Sequence, residues 1–187
     1  MASLSWIGLK GLDRAQALDL LGMTEAPPSR RRHAAWIGES PTGWTILLSA
    51  DSRFASEERL LPLSTTCAMV GCQLSETVMC ATTTLYDGGR VAWRVDYDCE
   101  NGAPTVAGAP PAEYQAIHDR LVAEQAAEDA SDDELRVDLI FDIPIELGKA
   151  VTGYRYDEDS GAEFVAVEAP RAARSGGWLS RLFGARG

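Results

Sequence analysis

Histidine is almost missing from this sequence: His33 and His118 are the only two in 187 residues. A serine or cysteine nucleophile activated by an imidazole would need one of them, with a third group to orient it. His33 follows three arginines in a polar connector, His118 falls on the flank of a predicted helix, and no G-x-S-x-G elbow occurs. Triad chemistry is not indicated. A phosphate-cradling loop is missing too. Gly8-Leu9-Lys10-Gly11 lies where such a loop belongs, between a strand and a helix, but it lacks the further glycines and the Lys-Ser/Thr pair.

Apolar runs of the roughly 20 residues that span a bilayer are absent. The N-terminal stretch has no basic region leading into an apolar segment and a cleavage site, so the cytoplasm is the expected compartment. Cys67, Cys72, Cys80 and Cys99 should be thiols there. Close cysteine pairs are lacking: only Cys67-x4-Cys72 approaches the spacing of a zinc ligand pair. All four fall in segments that read as strands, where a free cysteine behaves as a small apolar residue. Neither zinc nor another cofactor is expected.

What the chain does have is acid, unevenly placed. Residues 1–95 carry nine basic and nine acidic side chains, whereas residues 96–168 carry four basic against nineteen acidic. Residues 169–187 hold four arginines and no acid. Phosphate would be repelled by the second half, so no nucleic-acid partner is expected; a basic protein is the partner that such a surface suits. Solubility alone is the plainer use of the same charge.

Hydrophobic patterning predicts an α+β chain: a mainly antiparallel sheet with helices on one face. Over residues 3–74 the elements read β-α-β-β-α-β, the order of a ferredoxin-like split unit. Asp13 suits the N-cap of the first helix and Gly22 its end. In Val91–Glu100, the side chains of Val91, Trp93, Val95, Tyr97 and Cys99 alternate with Arg94, Asp96, Asp98 and Glu100, as in a strand with one dry and one wet face. Pro110-Pro111 opens a helix to about Ala127 with the apolar stripe Tyr114, Ile117, Leu121, Val122. Leu135–Phe141 reads as a strand, Asp142 as the cap of another helix, and Tyr154–Asp157 with Glu163–Glu168 as a second hairpin. Residues 1–168 are expected to form one domain and 169–187 a basic, Gly/Ser-hinged amphipathic tail.

Three functional readings follow. The leading one is a non-enzymatic acidic binding domain for a basic protein, in its concrete form an immunity protein that neutralises a basic toxin. Its contact residues would be Glu124 and Glu128 on the long helix, Asp129, Asp132, Asp133 and Glu134 after it, and Asp157, Glu158 and Asp159. In the tail, Trp178, Leu182 and Phe183 share a face if helical and would act as apolar anchors. A second reading is a metal-dependent hydrolase using Asp96, Asp98 and Glu100, which an unbroken strand would present together. A third attaches the chain weakly to an anionic membrane or scaffold through residues 176–187.

Overall fold

The computed structural model describes residues 3–27, 34–131 and 137–169. Nine strands and four helices follow one another in the order β1 (Ser3–Lys10), α1 (Arg14–Leu21), β2 (Thr24–Glu25), β3 (Ala35–Glu39), β4 (Trp44–Ser49), α2 (Glu57–Leu63), β5 (Met69–Ser75), β6 (Cys80–Asp87), β7 (Arg90–Asp98), β8 (Thr105–Gly108), α3 (Glu113–Asp129), α4 (Asp142–Thr152) and β9 (Val165–Glu168). The strands form one sheet in the spatial order β2-β9-β3-β4-β1-β5-β6-β7-β8, and every neighbouring pair is antiparallel. The α+β class and the antiparallel sheet are thus as the sequence indicates. The plain β-α-β-β-α-β order is not, because the two-residue β2 intervenes and pairs with β9.

Central strand β1 is buried on both sides, which a run of Ser5 to Leu9 without a charge permits. Ile7 and Leu9 pack with Ala17 and Leu21 of α1 and Leu60 of α2. Trp6 points the other way, toward α4, whose Gly148 lies against the indole; a Cβ there would sit 2.8 Å from Trp6 Cζ2. The Thr83 hydroxyl ties the same helix to the sheet by donating to the Pro144 carbonyl at 2.7 Å. Helices therefore cover both faces rather than one. The first pair of helices follows β1 and β4 on one side, and the second pair fills the side that these leave open.

Asp13 caps α1 as expected: its carboxylate accepts from Gln16 N–H at 2.9 Å while Gln16 Oε1 accepts from Asp13 N–H at 3.0 Å. Other expectations need correction. Residues 154–164 form no strand, so there is no second hairpin; β9 instead crosses to pair with β3, Ala166 opposite Trp36. No strand precedes α4 among the described residues 137–141, and Asp142 is the first helical residue, with Phe141 at the cap position. In β7 the register shifts at Leu85/Tyr86, so that Leu85 faces Trp93 but Tyr86 faces Val91. Ala92 is the extra residue of this bulge. Val91 is consequently turned onto the α1–α2 side, while Trp93, Val95 and Tyr97 face α3 and α4.

Gly108 closes β8 against that bulge. Its φ is +76°, and a Cβ would stand 2.3 Å from the Ala92 carbonyl oxygen. Gly108→Ala is expected to cost about 2 kcal/mol, strain and clash together. Amide exchange should show Thr105–Ala107 losing protection while β1 keeps its own; unchanged exchange in β8 would refute the close packing.

Candidate functional site

Pro110 and Pro111 stop β8 from continuing and deliver the chain into α3. Leu121 of α3 is buried against the sheet, with Tyr114 and Ile117 half-buried beside it. Val122, the fourth residue of the predicted stripe, is 40% exposed. Leu121 already fills the space over Val95 and Trp93, and the next residue of a helix is turned away by about a quarter circle.

Val122 instead lines a groove of about 420 Å³ between α3 and the turn that leads into β8. Ala103 and Pro104 form one wall, Val122 and Ala126 the other, and Ile140 also lines it. Gln125 fixes its far end. Its Oε1 accepts from Leu139 N–H at 2.7 Å, and its Nε2 donates to the Val137 carbonyl at 3.2 Å and to Asp129 at 3.0 Å. Tyr97 anchors the same segment by donating its hydroxyl to Asp138 at 2.6 Å. Burial, and then the hydrogen bond and charge of Asp138, push that phenol far above its ordinary range, so it stays protonated and remains a donor.

Four large apolar side chains are strongly exposed among the described residues: Val78, Val106, Val122 and Val137. One of them, Val122, lines this groove, and the Val137 carbonyl accepts from the groove residue Gln125. Val106 stands two residues beyond Pro104, opposite Val95 in the ladder and so on the α3 side of the sheet. Apolar exposure gathered in one place, next to a cleft, marks an interaction surface more often than scattered valines do.

Acid rims the groove. Asp129 lines it directly, and Asp119 lies beside His118, which donates from Nδ1 at 3.0 Å. Hydrogen bonds from His118 and Gln115 hold the Asp119 carboxyl below its usual range, so the charge persists. Of the three described cations of the acidic half, Arg120 pairs with Glu124 and Glu146, Lys149 with Glu158, and Arg155 with Asp142, Glu146 and Asp157, and none of the three lines the groove.

The residues predicted as partner contacts are thus divided. Glu124, Glu128 and Asp129 share the C-terminal half of α3, but only Asp129 lines the groove; Glu124 is turned away from it and pairs with Arg120. Asp157 and Glu158 belong to the Arg155 and Lys149 ion pairs, and Asp159 accepts from Gly161 N–H at 2.9 Å to close a turn. Asp132, Asp133, Glu134, Trp178, Leu182 and Phe183 lie outside the described residues. Pro104, Val106, Val137 and Ile140 escaped the sequence reading. The signal available was a stripe on α3 one residue too wide, and a proline-bracketed Thr105-Val106-Ala107 run.

The row Asp96, Asp98, Glu100 does not form. β7 ends at Asp98; Glu100 has entered the turn, where its N–H donates to Asp98 Oδ1 at 3.0 Å. Asp96 accepts from the Thr82 hydroxyl at 2.7 Å. Among the described residues no group of three or more His, Cys, Asp or Glu side chains is placed to hold a metal ion.

The thiols are unequal. Cys72 is buried on β5, and burial pushes its pKa up to about 12. Cys67 and Cys99 lie outside the strands in which they were expected, and Cys99 is exposed. Disulfide-exchange reagents at neutral pH should consume Cys99 first and reach Cys72 only after denaturation. Four equal thiol rates in the native protein would contradict this placement.

No described helix is long and apolar enough to cross a membrane. Comparison with protein-family models, with characterised proteins and with solved structures finds no match to the chain.

Proposed function

We propose that this chain is a non-enzymatic binding domain for a basic protein, with an immunity protein that occupies a basic toxin as its concrete form. One observation carries the reading: the cleft beside α3 sets the exposed Val122 and the apolar Pro104 and Ile140 next to the carboxylate of Asp129, with none of the described cations of the acidic half in its lining. Interfaces of this composition divide their labour. Desolvated apolar anchors supply most of the affinity, and the charged rim accelerates encounter and rejects partners of the wrong sign. In this reading Val122 and Pro104 are the anchors, Asp129 and Asp119 the rim, and Glu124 and Glu128 add to the field from further round α3.

Panning a displayed library of random peptides against the full chain tests the reading. Selected sequences should carry net positive charge, and Val122→Lys should abolish their capture while leaving the circular dichroism spectrum unchanged. Enrichment of acidic sequences, or capture indifferent to Val122→Lys, would refute it.

A further inference from the structure

The sheet ends at β8 on one side and β2 on the other. Strand β2 is two residues long and borders α1, whereas β8 offers four exposed residues that, among the described residues, pair only with β7. A strand at an edge leaves every second residue's N–H and C=O without a ladder partner, and an incoming strand can take them up. From the edge and the groove together we infer that the basic partner enters as an extended segment, adding a tenth strand beside β8. This rests on the binding function proposed above and specifies the conformation in which the partner is held.

The two faces next to β8 dictate the pattern of the incoming segment. On the α3 side, Val106 and the groove wall of Pro104 and Val122 call for apolar side chains. On the opposite side the ladder carries Thr105 beside Asp96 and Ala107 beside Arg94, whose guanidinium is held by Glu57, with Asp98 further along β7. A basic side chain long enough to cross one strand reaches Asp96 at the Thr105 end. Successive side chains of a strand point to opposite faces, so the segment that fits alternates apolar and basic residues. Pro104 and Pro110 bracket the edge and confine the pairing to the Thr105–Gly108 register.

The probe is a peptide of alternating valine and lysine, titrated into the isotopically labelled full chain. In a strand the N–H groups of alternate residues point to opposite edges. Methylating the valine nitrogens alone, or the lysine nitrogens alone, therefore blocks one edge of the peptide and spares the other. One methylated series should lose about tenfold or more in affinity, the other about twofold or less, and the largest amide shifts should fall on Thr105–Gly108. Equal behaviour of the two series, or shifts confined to α3, would overturn strand addition while leaving a basic partner in place. Equal binding of a valine–glutamate peptide would overturn the charge-based function itself. Absence of binding at millimolar peptide, a free protein already dimerised through β8, or binding only after removal of residues 170–187 would each overturn the inference, the last two by placing another occupant on the edge.

Discussion

Arg155→Met lowers the free energy of unfolding by about 3 kcal/mol at neutral pH, the penalty for leaving half-buried carboxylates without their counter-charge. The Arg155 side chain is only 10% exposed. Its guanidinium donates to Glu146 at 2.8 Å, to Asp142 at 3.1 Å and to Asp157 at 2.7 Å, binding the first turns of α4 to the chain that follows the helix. Burial raises the Asp142 carboxyl above its usual range even with Arg155 alongside. Burial works on Asp157 in the same sense, but the hydrogen bond and charge of Arg155 outweigh it and hold that carboxyl low.

The pH dependence has a defined sign. A depressed Asp157 contributes stability above its unfolded pKa of about 3.9, and that contribution fades as pH falls through the folded value. The raised Asp142 acts oppositely, since its protonated form is favoured on folding and its penalty appears as pH rises through the folded value. In Arg155→Met the stabilising contribution is absent and the Asp142 penalty grows. The difference from the wild type should be widest near neutrality, start to narrow near roughly pH 4, and close only as pH falls through the lowered value of Asp157, where the carboxylates take up protons. Urea unfolding at the two pH values measures it. Lys149→Met, which removes an exposed pair with Glu158 at 2.7 Å, should cost less than about 1 kcal/mol. Equal losses from the two substitutions would show that the Arg155 cluster contributes no more than surface charge.

Reversing Glu124, Glu128 and Asp129 to lysine together should slow association with the valine–lysine peptide about a hundredfold, because the local field changes sign. All three are on the last turns of α3, where solvent accepts lysine readily, so the circular dichroism spectrum should be unchanged. Dissociation depends on the apolar contacts at Val106 and Val122 and should change far less. Stopped-flow mixing separates the two rates. A variant that associates as fast as the wild type would place the encounter surface elsewhere on the chain.

Where local chemistry decides, the sequence is a sufficient guide. The Asp13 N-cap and the alternation of Trp93, Val95 and Tyr97 were both legible, since each is settled by residues close together in the chain. Long-range pairing was not. Val165-Ala166-Val167 reads as a strand, but nothing near it says that its partner is Trp36 rather than the adjacent Tyr154 segment. The Ala92 bulge was invisible for a related reason: Val91 is as apolar as its neighbours, and only the partner strand reveals that it faces the other way. Of the site, the acids of α3 were legible as charge. Its apolar half depended on Pro104 and Ile140, from short segments without periodicity, brought beside Val122 only by the packing of α3 over the sheet edge.

The central claim, that the acidic half of this chain exists to meet a basic partner, is tested most directly by the salt dependence of association. Between roughly 0.05 and 0.5 M salt, the association rate of the valine–lysine peptide with the full chain should fall about tenfold or more, and its dissociation rate should change little. An association rate indifferent to salt would mean that the carboxylates around α3 serve solubility alone, and would contradict the account.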